Sequence, residues 1–300
     1  MDLEHALRRA KTRQLVKNLV GALLVVLLIG GGSLAVVDRL AAHQMQQLFD
    51  QLLVYHQVAE PNVAVSNEQL TNAGLASGQV VTNEYKLIAG IPVPWRTLTS
   101  QFATLSHQVD QTIGHRHALN VGDTGAADQT QSYTLDGQKI ANFYTASTAT
   151  LPNEGLRLAG MTNTYGELAL TFDAPLTLAE IKHALPRQIT LCWGYILDDP
   201  STATNGLQHV ADPLGVDLTA PLDYSDWRHY LAQYWRSYGP QDANVTAYRT
   251  AMAATAKTVR FKGVMVTGSA AALVTAAKLP IVAGSSVGVT VQPKPYQHHD

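Results

Sequence analysis

From Leu19 to Val37 the chain runs for 19 residues without a charged side chain, in a stretch dominated by Leu, Val and Ile. No other feature of the sequence restricts the fold as strongly. At 1.5 Å per residue a helix of this length spans about 28 Å, close to the roughly 30 Å hydrocarbon core of a bilayer. Gly30, Gly31 and Gly32 loosen it locally, although glycine is common in membrane helices. Arg8, Arg9, Lys11, Arg13 and Lys17 precede the run against only Asp2 and Glu4, while Asp38 and Arg39 cancel behind it. The positive-inside rule then puts the N-terminus in the cytoplasm and everything after Val37 outside. A cleaved signal peptide shares the basic start, and Ser33-Leu34-Ala35 fits its cleavage site loosely. The apolar part of such a peptide is about 7–15 residues long. Here it continues through Val36 and Val37, which favours an uncleaved anchor.

The near-neutral total of −2 hides a split: residues 1–17 carry +3, leaving −5 on the remainder. The net charge and a pI near 6.6 leave no global basic field for nucleic acid, so direct nucleic-acid binding is not expected. Cys192 is the one cysteine, which excludes an internal disulfide, a thiolate zinc cluster and an iron–sulfur site. An exported domain without disulfides is ordinary in a bacterium.

Behind the anchor, Val37, Ala41, Met45, Leu48, Leu52 and Tyr55 recur at three- and four-residue steps. This predicts an amphipathic helix running on towards Pro61, either a dimerising stalk or a helix packed on its own domain. Fewer than three heptads favour the second. Residues 61–82 read as loop, Tyr85–Ile91 as a strand, Thr97–Val109 as a helix and 114–137 as a long polar loop. Asn142–Tyr144 reads as a weak strand. In the C-terminal half, Leu168, Leu170 and Phe172 share one face of a strand, and Thr177 with Glu180 has the spacing of a capping box. Gln188–Leu197 reads as a covered central strand. Ser225 or Asp226 is placed to cap a helix carrying Trp227, Leu231, Tyr234, Trp235 and Tyr238. Another helix is expected over Asp242–Lys257, strands over Val259–Thr267 and Ser286–Val291, and a short helix over Ala270–Lys278. The expected organisation is a basic segment (1–17), a transmembrane helix (18–37), a juxtamembrane helix (38–60), and an exported region divided into 61–152 and 153–300. The fold class is thus a single transmembrane helix followed by an extracytoplasmic mixed α/β (α+β) domain.

No catalytic set emerges from the residues, and no cofactor or metal is expected. Gly284-Ser285-Ser286-Val287-Gly288 satisfies G-x-S-x-G, but that elbow needs a helix after the serine and a histidine beyond it. Strand-like Val289-Thr290-Val291 follows instead, with only His298 and His299 downstream. His115 and His117 lack a third ligand for a metal. Asp198 and Asp199 end a strand, where carboxylates do serve as catalysts, but Pro200-Ser201 behind them makes a turn. The Trp227–Tyr238 stripe reads as a face buried against a sheet, and Cys192 as a core thiol.

Three stretches carry a resemblance: Gly160-Met161-Thr162-Asn163-Thr164-Tyr165-Gly166-Glu167-Leu168-Ala169-Leu170-Thr171-Phe172, Phe261-Lys262-Gly263-Val264-Met265-Val266-Thr267-Gly268, and Gly284-Ser285-Ser286-Val287-Gly288-Val289-Thr290. In this order and spacing they resemble the C-terminal domain of the membrane-anchored sigma-factor regulators (anti-sigma factors) of Gram-positive bacteria. The basic start running into the anchor, with Ile91-Pro92-Val93-Pro94-Trp95 beyond, is similar to that family's N-terminal region. The resemblance implies restraint of an extracytoplasmic-function sigma factor at the membrane and a response to envelope stress. About 17 residues precede the anchor, too few to enclose a sigma factor. Either a short amphipathic segment (Leu3, Ala6, Leu7, Ala10) suffices, or a small membrane partner protein does the binding, or that role is lost. The implied partners are therefore a sigma factor or a small membrane partner, and the lipid bilayer. The alternative from another class is a membrane-anchored extracytoplasmic enzyme or wall-binding protein, resting on Asp198, Asp199 and the Trp227–Tyr238 face.

Overall fold

The structure, a computed structural model, describes residues 2–113, 119–121, 131–144, 151–198, 209–210, 213–238 and 245–294. It opens with one helix, α1 (Asp2–Val58). Over its Gln14–Val58 portion this helix is long and apolar enough to cross a membrane, and its most apolar window is not buried at all. Leu19, Leu23, Val26 and Leu34 all stand in the open. The same helix then becomes one-sided. Ala41, Leu48, Leu52, Tyr55 and Val58 are each under 5% exposed, with Met45 packed beside them. The second half of α1 therefore lies on its own domain, as its short heptad pattern favours. Pro61 follows the helix, and Asn62 takes a left-handed φ of 55°, which asparagine tolerates better than most residues.

Next comes an antiparallel meander of β1 (Ala64–Thr71), β2 (Ser77–Ile88), β3 (Ile91–Ala103) and β4 (Ser106–Gln108), in that spatial order. Two expectations fail here. Residues 61–82 are not loop, because β1 and the start of β2 occupy them. β1 is an edge strand whose polar side chains face solvent, so ladder hydrogen bonds to β2 hold it, and composition hides it. Thr97–Val109 is not a helix either. Leu98, Ser100 and Phe102 are buried while Thr97, Thr99 and Gln101 are exposed, the period of two that makes a strand.

Short strands β5 (Leu119–Val121), β6 (Gln131–Tyr133) and β7 (Lys139–Ile140) form a small sheet; β5 and β6 fall in the span 114–137 read as loop, most of the rest of which lies outside the described residues. β8 (Phe143–Tyr144) leads to a 3-10 turn at Glu154–Leu158 and then to β9 (Tyr165–Leu176). β9 is buried continuously from Gly166 to Phe172, not on one face alone. α2 (Leu178–Ala184) opens with the expected capping box: the Glu180 backbone N–H donates to the Thr177 hydroxyl, and the Glu180 carboxylate accepts from the Thr177 N–H. β10 (Thr190–Asp198) follows, then β11 (His209–Val210), β12 (Pro213–Asp217) and α3 (Tyr224–Tyr238). The side chain at the start of α3 is Asp223, which accepts from the N–H groups of Ser225 and Asp226; these two residues are capped and do not cap.

α4 (Val245–Ala253), β13 (Phe261–Ser269), α5 (Ala270–Ala277) and β14 (Val282–Val291) complete the chain. β14 begins four residues earlier than its apolar pattern indicates. The large sheet runs β12-β10-β13-β9-β14 and all its ladders are antiparallel, so the domain is of the α+β kind. β10 is covered and central as expected, with β12 and β13 on its two sides.

The three motif stretches become three neighbouring strands, β13-β9-β14. A side-chain carbon on Gly263 would stand 2.4 Å from the Leu170 carbonyl oxygen across the β13–β9 ladder. Glycine is required there for strand approach, which is fold and not chemistry.

Candidate functional site

The unusual chemistry of the molecule lies where the end of α1 meets the two larger sheets. β2 alternates strictly, so Val80, Thr82, Glu84, Lys86 and Ile88 all point inward. Two of those inward residues are charged. Glu84 is 4% exposed; its Oε1 lies 2.8 Å from His56 Nε2, and its Oε2 accepts from Arg96 Nε at 2.7 Å. Arg96, on β3, also donates to Glu60 just past α1 and to the Thr112 carbonyl. His56 Nδ1 lies 2.8 Å from the Leu52 carbonyl oxygen. A carbonyl and a carboxylate both accept, so the doubly protonated imidazole is the form that satisfies both contacts. Burial works against that charge, but the hydrogen bond and negative charge of Glu84, with Glu60 and the Leu52 carbonyl behind them, outweigh it. The His56 pKa is raised above its ordinary value. With His56 protonated, the two carboxylates are balanced by a guanidinium and an imidazolium, which is the condition for burying them.

The second inward charge, Lys86, reaches the large sheet. Its Nζ donates to Glu167 Oε2 at 2.9 Å and Oε1 at 3.0 Å, and lies 4.0 Å from the centroid of the Trp95 ring. Glu167 on β9 has no exposed surface and also accepts from Asn62 Nδ2 at 2.8 Å. On its far side Gly288 leaves room: a side-chain carbon there would sit 2.4 Å from Oε2. Ion pairs thus link α1 to β2 and β3, and β2 to β9. The sequence assigned no ionic role to any of these residues: Glu167 and Trp95 stand only inside motif stretches, and Asn83-Glu84-Tyr85-Lys86 looks solvated. The available signal was the period of two that Glu84 and Lys86 share with Val80 and Ile88.

Beside this network lies a cavity of about 820 Å³, walled by α1, β1, the β2–β3 turn and the ends of β10, β12 and β13. Cys192 is in its wall; burial pushes its thiol up to about 12, against a weaker opposing contact with the Thr267 hydroxyl 3.6 Å away.

Of the residues weighed for catalysis, Ser286 and Asp198 are among the described residues, and they lie apart on β14 and β10. Ser286 lies inside β14, paired with Ala169, and its hydroxyl meets the Glu154 carboxylate at 3.2 Å, which Lys139 also holds at 2.6 Å. Asp198 ends β10; Asp199, His115, His117, His298 and His299 lie outside the described residues. Of the α3 stripe, Trp227, Leu231 and Tyr234 are buried and Trp235 is half-buried, though not on a sheet alone. Trp227 Nε1 donates to the Gly215 carbonyl of β12, Tyr234 meets Tyr55 of α1 edge-on at 5.4 Å, and Trp235 stacks on Tyr248 of α4 at 4.4 Å. Among the described residues no three His, Cys, Asp or Glu side chains converge as a metal site.

Residues 4–93 match the family described as sigma factor regulator N-terminal. No curated protein and no solved structure matches the chain. The matched stretch takes in the candidate membrane span, His56, Glu60, Glu84 and Lys86, and ends in β3 before Arg96.

Proposed function

We propose that this chain, whose residues 4–93 match the sigma factor regulator N-terminal family, is a single-pass membrane protein that restrains an extracytoplasmic-function sigma factor and releases it on an envelope signal. α1 crosses the bilayer through Leu19–Val37 with its basic end in the cytoplasm, and the sheets stand outside. Restraint is exerted directly by the basic segment or through a small membrane partner. The β9, β13 and β14 motifs serve as the sensory half, as their resemblance to regulator C-terminal domains implies.

The observation that carries this reading is the continuity of α1. One helix holds the apolar run and, without a break, the buried face and His56 that bind it to the meander. A change in the sheets therefore acts on the membrane segment through rigid backbone and not through a flexible linker. The test is to purify the full chain from its native membranes and ask what comes with it, alongside transcript profiles of a strain lacking the gene. A co-purifying sigma factor, alone or with a small membrane protein, and a derepressed set of that factor's promoters are expected. An unchanged transcript profile together with no sigma factor in the eluate refutes it.

A further inference from the structure

We infer that the 820 Å³ cavity beside α1 binds a small amphipathic cation, an amine or quaternary ammonium group carried on an apolar body. As the signal that the proposed regulator answers, it rests on that reading; as a binding site it does not.

Size comes first. Cavities that hold small organic ligands measure about 300–1,000 Å³. The walls are unusual for surface that water alone should fill. Leu53, Val65 and Leu87 line it and remain 46%, 37% and 43% exposed, three large apolar side chains from three elements facing one space. Clustered exposed apolar surface in a concavity marks a binding site, whereas single exposed leucines do not.

Charge then selects the ligand. Among the described lining residues there is no lysine or arginine, while Asp50, Glu60, Glu68 and Asp217 are all present. Glu60 is paired with Arg96, and the one base, His56, is paired with Glu84. The exposed carboxylates at the rim meet only neutral donors where a partner is seen: Asp50 accepts from Gln46, and Asp217 from Thr219. An anionic amphiphile would bring its charge against these groups, and a cationic one would satisfy them. Phe49, Leu53 and His56 belong to α1, so an occupant touches the helix that enters the membrane.

Octyltrimethylammonium is a suitable probe, titrated calorimetrically into the full chain held in zwitterionic-lipid nanodiscs, with empty nanodiscs as the blank. Octanoate and tetramethylammonium are the comparison ligands. Saturable binding of the octyl cation above the blank is expected, with both comparison ligands at least tenfold weaker. The surface double variant Asp50→Asn with Glu68→Gln should weaken the cation about three- to tenfold without changing the melting temperature. Leu53→Gln should weaken it while leaving tetramethylammonium unchanged. Equal affinity for octanoate and the cation, no heat above the blank, or indifference to both variants overturns the proposal. No sigma factor is present in this titration. Binding without a co-purifying sigma factor defeats the regulatory reading alone, and a co-purifying sigma factor without binding defeats the site alone.

Discussion

Lys86→Met tests whether the meander and the large sheet are joined by charge. Glu167 has no exposed surface, and Lys86 supplies hydrogen bonds of 2.9 and 3.0 Å to its two oxygens. At an effective dielectric of about 20, unit charges 2.9 Å apart attract by about 6 kcal/mol, part of which desolvation of the two ions cancels. Removing the ammonium leaves a buried carboxylate with one hydrogen bond, from Asn62, and no compensating cation. Such losses cost about 3–5 kcal/mol. For a domain of this size that is a fall in melting temperature of about 6–20 °C. In the Lys86→Met background, Glu167→Gln removes the stranded charge and keeps an acceptor for Asn62, so the double variant should regain at least half of the loss. The assay is urea unfolding of the full chain in nanodiscs, followed by tryptophan emission, with Trp95 lying against Lys86 as a local reporter. A single variant within about 1 kcal/mol of the parent, or a double variant no better than the two singles added, would refute the reasoning.

Leu52→Ala removes a side chain of zero exposure between α1 and the domain, and should cost about 2–5 kcal/mol by chemical denaturation; a cost below 1 would mean that the helix is only loosely seated. His56 should give a pH signature. Its raised folded-state pKa means that its stabilisation is complete below the unfolded value of 6.5 and is lost as pH rises through the folded value. Denaturation midpoints measured from pH 5 to 9 should therefore fall on the alkaline side more for the parent than for His56→Gln, and superimposable profiles would contradict the ion pair. Cys192, with its thiol near 12 and buried, should resist iodoacetamide at pH 8 in the folded chain and react on unfolding. Rapid labelling of the folded protein would show that the cavity wall is not as drawn.

What the sequence made legible was what burial writes in apolar letters. The uncharged run, the face through Leu48 and Leu52, the Thr177 capping box and the core of β9 and β10 all follow from period and local chemistry. β1 was missed because Asn67, Glu68 and Gln69 are held by a ladder to β2, and backbone pairing leaves no trace in side-chain polarity. β3 was missed because Thr97–Gln101 mixes Thr, Leu and Ser, whose alternation shows only once the buried side is known. The ionic network was illegible for a deeper reason. Glu84 and Lys86 are tolerated inside only because Arg96, His56 and Glu167 arrive from other elements, and such coincidences are settled in three dimensions.

α1 also acts as a counter. An unbroken helix advances by about 100° and 1.5 Å per residue, and no break separates the uncharged run from Ala41, where the domain first grips it. The angular phase of the basic end against the sheets is therefore set by the number of residues between them and by little else. Inserting one residue beside Asp38 would turn Gln14 and Lys17 about 100° around the axis while leaving the buried face through Ala41, Leu48 and Leu52 in place. Inserting seven would bring them back to within about 20°. In a molecule built this way, orientation along the helix is a quantity held in chain length, and it can be reset a residue at a time.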